Sequence, residues 1–189
     1  MIAVTNRCLC SRPYLEQIKR VCERHPKAVL VREKDLPEEE YIRLLESVKE
    51  ICSRYGVCCI AHTYMDAALK CGIDAVHFPL GLLRENAAHP VPPEKMREIK
   101  CIGVSVHSVE EALLAEKMGA DYITAGHIFA TGCKPGAEPR GTEFLKHVCQ
   151  AVSVPVYAIG GMTASKRCVE SMLLCGASGI CLMSECMQW

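Results

Sequence analysis

No run of apolar residues in this sequence approaches the roughly 20 that a membrane span requires. Net charge is absent too: 22 Lys and Arg balance 22 Asp and Glu. That removes the electrostatic reason to expect nucleic acid or an anionic membrane as partner. The opening MIAVTNRCLC lacks a cationic segment followed by an apolar one. No signal peptide is therefore expected, and the expected location is cytoplasmic. Low-complexity segments, linkers and domain boundaries are missing as well. The 189 residues fit a single domain with a sizeable core.

Cysteine, by contrast, is abundant, with 14 residues. Most of them sit inside apolar periodic segments: Cys22, Cys52, Cys149, Cys168 and Cys175 in helical patterns, Cys58, Cys59, Cys101 and Cys181 in strand patterns. A disulfide scaffold is not expected from such positions; small buried hydrophobes in a reducing compartment are. Zinc or an iron–sulfur cluster wants two close-spaced pairs. Cys8 and Cys10 have no matching pair, and no metal is expected. Cys133 stands apart in a polar loop and is the one thiol to test for reactivity.

The hydrophobic period alternates between two patterns. Eight short apolar runs occur at 2–5, 28–31, 57–61, 75–78, 101–106, 122–126, 154–160 and 179–183. Seven amphipathic stretches lie between them, at about 14–24, 37–55, 65–71, 93–98, 108–118, 142–152 and 163–175. Runs without polar alternation suit parallel strands covered on both faces. Glycines in YGV, CGI, MGA and CGA stop helical stretches just before strands. Asp35, Ser108 and Thr163 are candidate helix N-terminal residues. The segment 81–95, GLLRENAAHPVPPEK, reads as a proline-rich loop. Eight strands alternating with helices predict a (β/α)8 TIM barrel. It would be compact against the usual length of about 250 residues, with the eighth helix missing or truncated. The alternative is an open doubly wound sheet, which is weakened because no G-x-G-x-x-G follows the first run.

In such a barrel the chemistry sits at the carboxyl ends of the strands. Those ends supply Arg32 and Lys34; His62 and Thr63; Ser105 and His107; His127, Thr131 and Lys134; Gly160 and Gly161; and Ser184. A Gly-Gly turn after the seventh strand, with the segment after the eighth, is where barrels commonly hold a phosphate, because backbone N–H groups can approach the anion closely. Gly160, Gly161 and Ser184 are therefore the phosphate candidates; a tight turn that simply needs positive φ is the plainer explanation of the glycines. Arg32 and Lys34 alternate along one strand end and could hold a second anionic group, unless Glu33 and Asp35 pair with their neighbours in that turn. His77, inside an apolar strand, reads as structural, and so does His107. His127 differs: it ends a strand at the root of the polar stretch HIFATGCKPGAEPRG. There it can exchange a proton near neutral pH, with the loop as a lid that excludes water.

The stretches IGVSVHSVEEALLAEKMGADYITAGHIFATGCKPGAEPRG, VPVYAIGGMT and GASGICLMS together resemble the thiamine phosphate synthase superfamily. The closer likeness is to its TenI branch, the thiazole tautomerases. The likeness spans nearly the whole chain and is strongest from Cys101 to Ser184. In the synthases an Asn-Asp-Arg motif ends the third strand, an aspartate follows the fourth, and these acids hold the magnesium of a pyrophosphate substrate. Here His62, Thr63 and Tyr64 stand at the motif, no acid follows His77 in FPLGLL, and Asp66 remains. A hard cation wants carboxylate oxygens, so synthase activity is not expected. Where the synthases have Gly-Pro-Ile-Phe, this chain has Gly-His-Ile-Phe.

The resemblance implies a cofactor-free isomerisation of a carboxylated thiazole phosphate. A proton leaves the ring carbon that bears the carboxylate and another reaches the exocyclic carbon, so the double bond moves into the ring. His127 is the implied catalytic residue. Ser105 and Thr131 match pocket positions, and Arg32, Lys34 and Lys134 are candidates for anionic oxygens. Two other expectations remain: a synthase with altered metal ligands, and a non-catalytic phosphate-ligand sensor. A barrel flank left bare by the missing helix could be covered by a second copy, giving a homodimer.

Overall fold

The structure is a computed structural model and describes residues 1–88, 97–133 and 136–189. Its strands are β1 (Ile2–Val4), β2 (Ala28–Val31), β3 (Cys58–His62), β4 (Ala75–Pro79), β5 (Cys101–Val106), β6 (Tyr122–Gly126), β7 (Val156–Ile159) and β8 (Gly179–Leu182). They follow sequence order in a closed barrel. Pairing is parallel, with registers such as Leu30↔Ile60 and Ser105↔Thr124. β2, β6 and β8 are buried at every residue, which is why their sequences show no polar alternation.

The helices are α1 (Tyr14–Glu23), α2 (Glu38–Arg54), α3 (Met65–Lys70), α4 (Leu80–Ala88), α5 (Val109–Lys117), α6 (Gly141–Ala151) and α7 (Lys166–Leu174). α4 corrects the reading of 81–95 as a loop. Leu80 and Leu83 are buried at helical spacing, a signal outweighed in the sequence by the prolines that follow. The rest of that segment, and most of the stretch expected to be helical at 93–98, lie outside the described residues; Arg97 and Glu98 are helical. β8 leads into a single 3-10 turn, Cys186–Gln188.

Of the expected N-terminal residues, Ser108 caps α5 by accepting from the Glu111 amide at 3.1 Å. Thr163 does not cap α7; Ser165 does, accepting from Cys168. Asp35 does not cap α2, whose N-terminal residue is Pro37. Arg7 binds both Asp35 oxygens at 2.6 Å, and that ion pair holds the Asp35 carboxyl below its ordinary range.

The contacts divide the chain into two compact units. The first holds Met1–His77, the described residues up to Lys100, and Met183–Trp189; the second holds Phe78–Ala88 and Cys101–Leu182. In the first unit, α1 buries Ile18, Val21 and Cys22, and α2 buries Tyr41, Leu45 and Val48, each a stripe at helical spacing. The tail docks on α1: the Gln17 amide donates to the Cys186 carbonyl at 2.7 Å, Arg12 donates to the Trp189 carbonyl, and the Arg24 guanidinium lies 4.4 Å above the Trp189 ring. In the second unit, α6 buries Leu145 and Val148, and α5 packs through Ala112 and Ala115. All 14 cysteines are free thiols, but only six are buried. The buried-hydrophobe reading thus holds for Cys22, Cys52, Cys71, Cys175, Cys181 and Cys186, whereas Cys8, Cys58 and Cys133 face solvent.

Candidate active site

The second unit builds its site around the end of β6. His127 is 7% exposed and follows Gly126 across a cis peptide bond. Its carbonyl accepts from the Arg140 amide at 2.9 Å, and the Ile128 carbonyl accepts from Gly141 at 3.0 Å. These two bonds pinch the ends of the polar loop together beside the histidine. The His127 Nε2 lies 3.3 Å from the Ala137 carbonyl. A carbonyl only accepts, so this contact selects the Nε2–H tautomer and leaves the Nδ1 lone pair to take a proton. His107, expected to be structural, donates from Nδ1 to the Gly126 carbonyl at 2.6 Å and so braces the peptide that carries His127.

The Gly-Gly turn has a packing reason that the sequence does not reveal. A Cβ on Gly160 would stand 2.3 Å from the His127 Cβ, and one on Gly161 would stand 2.7 Å from the Phe129 Cβ. Both glycines have positive φ, +97° and +68°. The Ile128 and Phe129 amides donate to the Ile159 and Gly160 carbonyls at 2.9 and 3.1 Å. The turn after β7 is thus laced to the loop that starts at His127, and only glycine allows that approach. Ser105 is half-buried and shares a 3.1 Å hydrogen bond with Thr124 of β6. Thr131 spends its hydroxyl on its own loop, accepting from the Cys133 amide at 3.4 Å. Lys134 lies outside the described residues.

The first unit holds Arg32, Lys34 and Ser184. Ser184 is exposed in the tail after β8. Arg32 is half-buried, and its guanidinium reaches the Met183 sulfur at 3.9 Å. Both acids of its turn reach Arg7. Glu33 is buried, accepting from the Thr5 hydroxyl at 2.6 Å and from the Arg7 amide at 3.0 Å, and Asp35 joins it on Arg7. Arg32 and Lys34 instead act on a residue left out of the site expected from sequence, His62. Its ring stacks on His77, with centroids 6.1 Å apart. Burial, then His77 and the two cations, push the His62 pKa down to about 2; burial and Arg32 push His77 down to about 3. Both rings are neutral at ordinary pH. The register His62↔His77 sets the last residue of β3 beside the middle residue of β4, a pairing no single stretch of sequence shows.

A divalent cation does not fit the residues at these strand ends. Two neutral imidazoles and two cations occupy the region where the resemblance would place carboxylates. Among the described residues, no group of three or more His, Cys, Asp or Glu could hold a metal ion. Nor is any helix there long and apolar enough to cross a membrane.

The fold is that of a TIM barrel. A family model described as thiamine monophosphate synthase matches residues 1–186, and the chain belongs to that family. It is 34% identical to a putative thiamine-phosphate synthase 2 of Aquifex aeolicus, over 88% of this chain and 87% of that one. It is 39% identical to a thiamine-phosphate synthase of Caldanaerobacter subterraneus subsp. tengcongensis, over 80% of this chain and 69% of that one. Among solved structures, a thiamine phosphate pyrophosphorylase from Pyrococcus furiosus superposes with a TM-score of 0.78 at 31% identity, covering 98% of this chain and 86% of that one.

Proposed function

We propose that this chain is a thiazole tautomerase of the TenI type. It isomerises a carboxylated thiazole phosphate by proton transfer, without a metal. The observation that carries the reading is His127, buried at the end of β6 with its tautomer set by the Ala137 carbonyl. Nδ1 takes the proton from the ring carbon that bears the carboxylate. The electron pair of that C–H bond becomes the new ring double bond. The pair of the exocyclic double bond then captures the proton from Nδ1 at the exocyclic carbon. One proton leaves and one arrives, and nothing is oxidised or reduced. In this reading the phosphate is held by the Gly160 and Gly161 backbone. Ser105, in the same unit, lines the pocket with Thr131.

A second reading is favoured by the names of the relatives, which are synthases. It would need a magnesium pyrophosphate substrate bound without the carboxylates such an ion prefers. The two are separated by offering the purified protein the non-aromatic carboxythiazole phosphate tautomer in EDTA and, in parallel, a pyrimidine pyrophosphate with thiazole phosphate and magnesium. Isomerisation in EDTA, read by absorbance, supports the tautomerase. Coupling alone supports the synthase. Tight binding with no turnover in either assay supports a sensor.

A further inference from the structure

In the second unit, His127 is held more firmly by its backbone than by its ring. The ring meets the Ala137 carbonyl at 3.3 Å, longer than the usual N–H···O distance of about 2.9–3.0 Å and a weak hold by itself. The backbone on either side is held more closely. On the far side, the His127 carbonyl accepts from the Arg140 amide at 2.9 Å. On the near side, the Gly126 carbonyl accepts from His107 Nδ1 at 2.6 Å. A carbonyl only accepts, so His107 Nδ1 carries the proton. Gly126 is pressed against β7, where a Cβ would stand 2.3 Å from the Ile159 carbonyl. A peptide unit is planar, so the Gly126 Cα and oxygen together fix the plane in which the His127 nitrogen and Cα lie. With the His127 carbonyl held as well, the direction in which the ring leaves the chain is set.

His107 is itself held from α5. Its amide donates to the Glu111 carboxylate at 2.5 Å, and the Glu111 amide donates to the Ser108 hydroxyl at 3.1 Å. This is a capping box in which the acid reaches the residue before the cap. It fixes the end of β5 that carries the His107 ring. We propose that His107 is a positioning residue for the proton transfer: its Nδ1–H orients the Gly126–His127 peptide so that His127 Nδ1 faces the carbon that loses its proton. The proposal rests on the tautomerase reading of His127. In this role His107 touches no substrate and exchanges no proton. It sets the aim of the base, and an error of about 1 Å in a reacting group costs about 100-fold in rate. A merely structural role predicts something different: lost stability, with the folded enzyme still at full rate.

The test compares His107→Leu with His107→Asn. The two replacements are nearly equal in shape, and only Asn places an N–H donor where His107 Nδ1 stands. With the carboxythiazole phosphate tautomer in EDTA, His107→Leu should lower kcat by about 10- to 100-fold. KM should change little, the pattern of lost alignment rather than lost binding. His107→Asn should recover most of that rate. Without substrate, the imidazole 15N signals of His127 should report the Nε2–H form in the wild type and in His107→Asn. In His107→Leu they should report a mixture of tautomers, because a drifting ring loses the Ala137 carbonyl. Urea melts of each variant keep folding separate from alignment. Where His107→Leu does not fold, Glu111→Ala keeps the His107 ring, frees its amide and should show both changes to a smaller degree. A folded His107→Leu, or Glu111→Ala in its place, with wild-type kcat or wild-type His127 signals overturns the proposal. So does a His107→Asn variant no faster than His107→Leu. A wild type that turns nothing over, with the tautomer change still seen in His107→Leu, supports the hold of His107 on His127 and removes the isomerase reading.

Discussion

In the first unit, His62 and His77 lie stacked and buried, held neutral by desolvation and by neighbouring cations. In the second unit, His127 is also buried but meets a loop carbonyl and a glycine turn. The same side chain thus meets different surroundings in the two units. An imidazole packed against another imidazole and an arginine pays for protonation, so it serves as a neutral donor. An imidazole whose Nε2–H is bound to a carbonyl keeps a basic Nδ1 and can carry a proton in transit. Burial alone does not separate the two; the nature of the neighbour does.

The sharpest break of this comparison is His127→Ala. It should slow tautomer turnover by about 100- to 10,000-fold while the urea midpoint moves little; unchanged steady-state turnover would remove His127 from the mechanism. Next in size is Gly160→Ala. The new methyl would press on the His127 Cβ at a positive φ, costing about 2–5 kcal/mol in strain and overpacking. Gly56→Ala, whose Cβ would meet nothing within 4 Å at φ +65°, should cost only about 1–2 kcal/mol. Equal midpoints for the two variants in urea would show that the turn after β7 is not packed as described.

The paired histidines give a pH signature. Their folded pKa values, about 2 and 3, lie below the unfolded value of about 6.5, so between those limits the unfolded chain binds more protons. Stability is then fully present above pH 6.5 and falls as the pH drops, by up to about 1.4 kcal/mol per unit for each ring. Denaturant melts from pH 7 to 4 should show that slope, and His77→Phe should flatten it; an identical profile in the variant would mean the ring is not buried neutral. The smallest effect belongs to the second unit, where Ser108→Ala removes the α5 cap and should cost about 1 kcal/mol. A variant as stable as the wild type would reduce that cap to a surface contact.

Much of the architecture was legible because its signals are local. All eight apolar runs became strands, with ends shifted by at most a few residues, since a strand covered on both faces must be apolar throughout. α4 was hidden because its short apolar stripe is followed directly by prolines. Asp35 has the right residue type for a cap and fails as one because Arg7, 28 positions away, captures it. His127 could be picked out by its place at a strand end above a polar loop. The role of His62 could not, because it depends on a stacked partner from another strand.

The amino-acid sequence by itself determined the order of strands and helices, the glycine stops, and the positions of His127 and the Gly160–Gly161 pair, all of which follow from periodicity and residue type within a few neighbours. Only the tertiary structure decided which acids are consumed by Arg7, why the glycine pair must be glycine, and that His62 and His77 form one neutral, cation-flanked face. Those outcomes depend on distances between side chains from separate strands and loops, which are set by barrel register and packing and leave no trace in any single stretch of the chain.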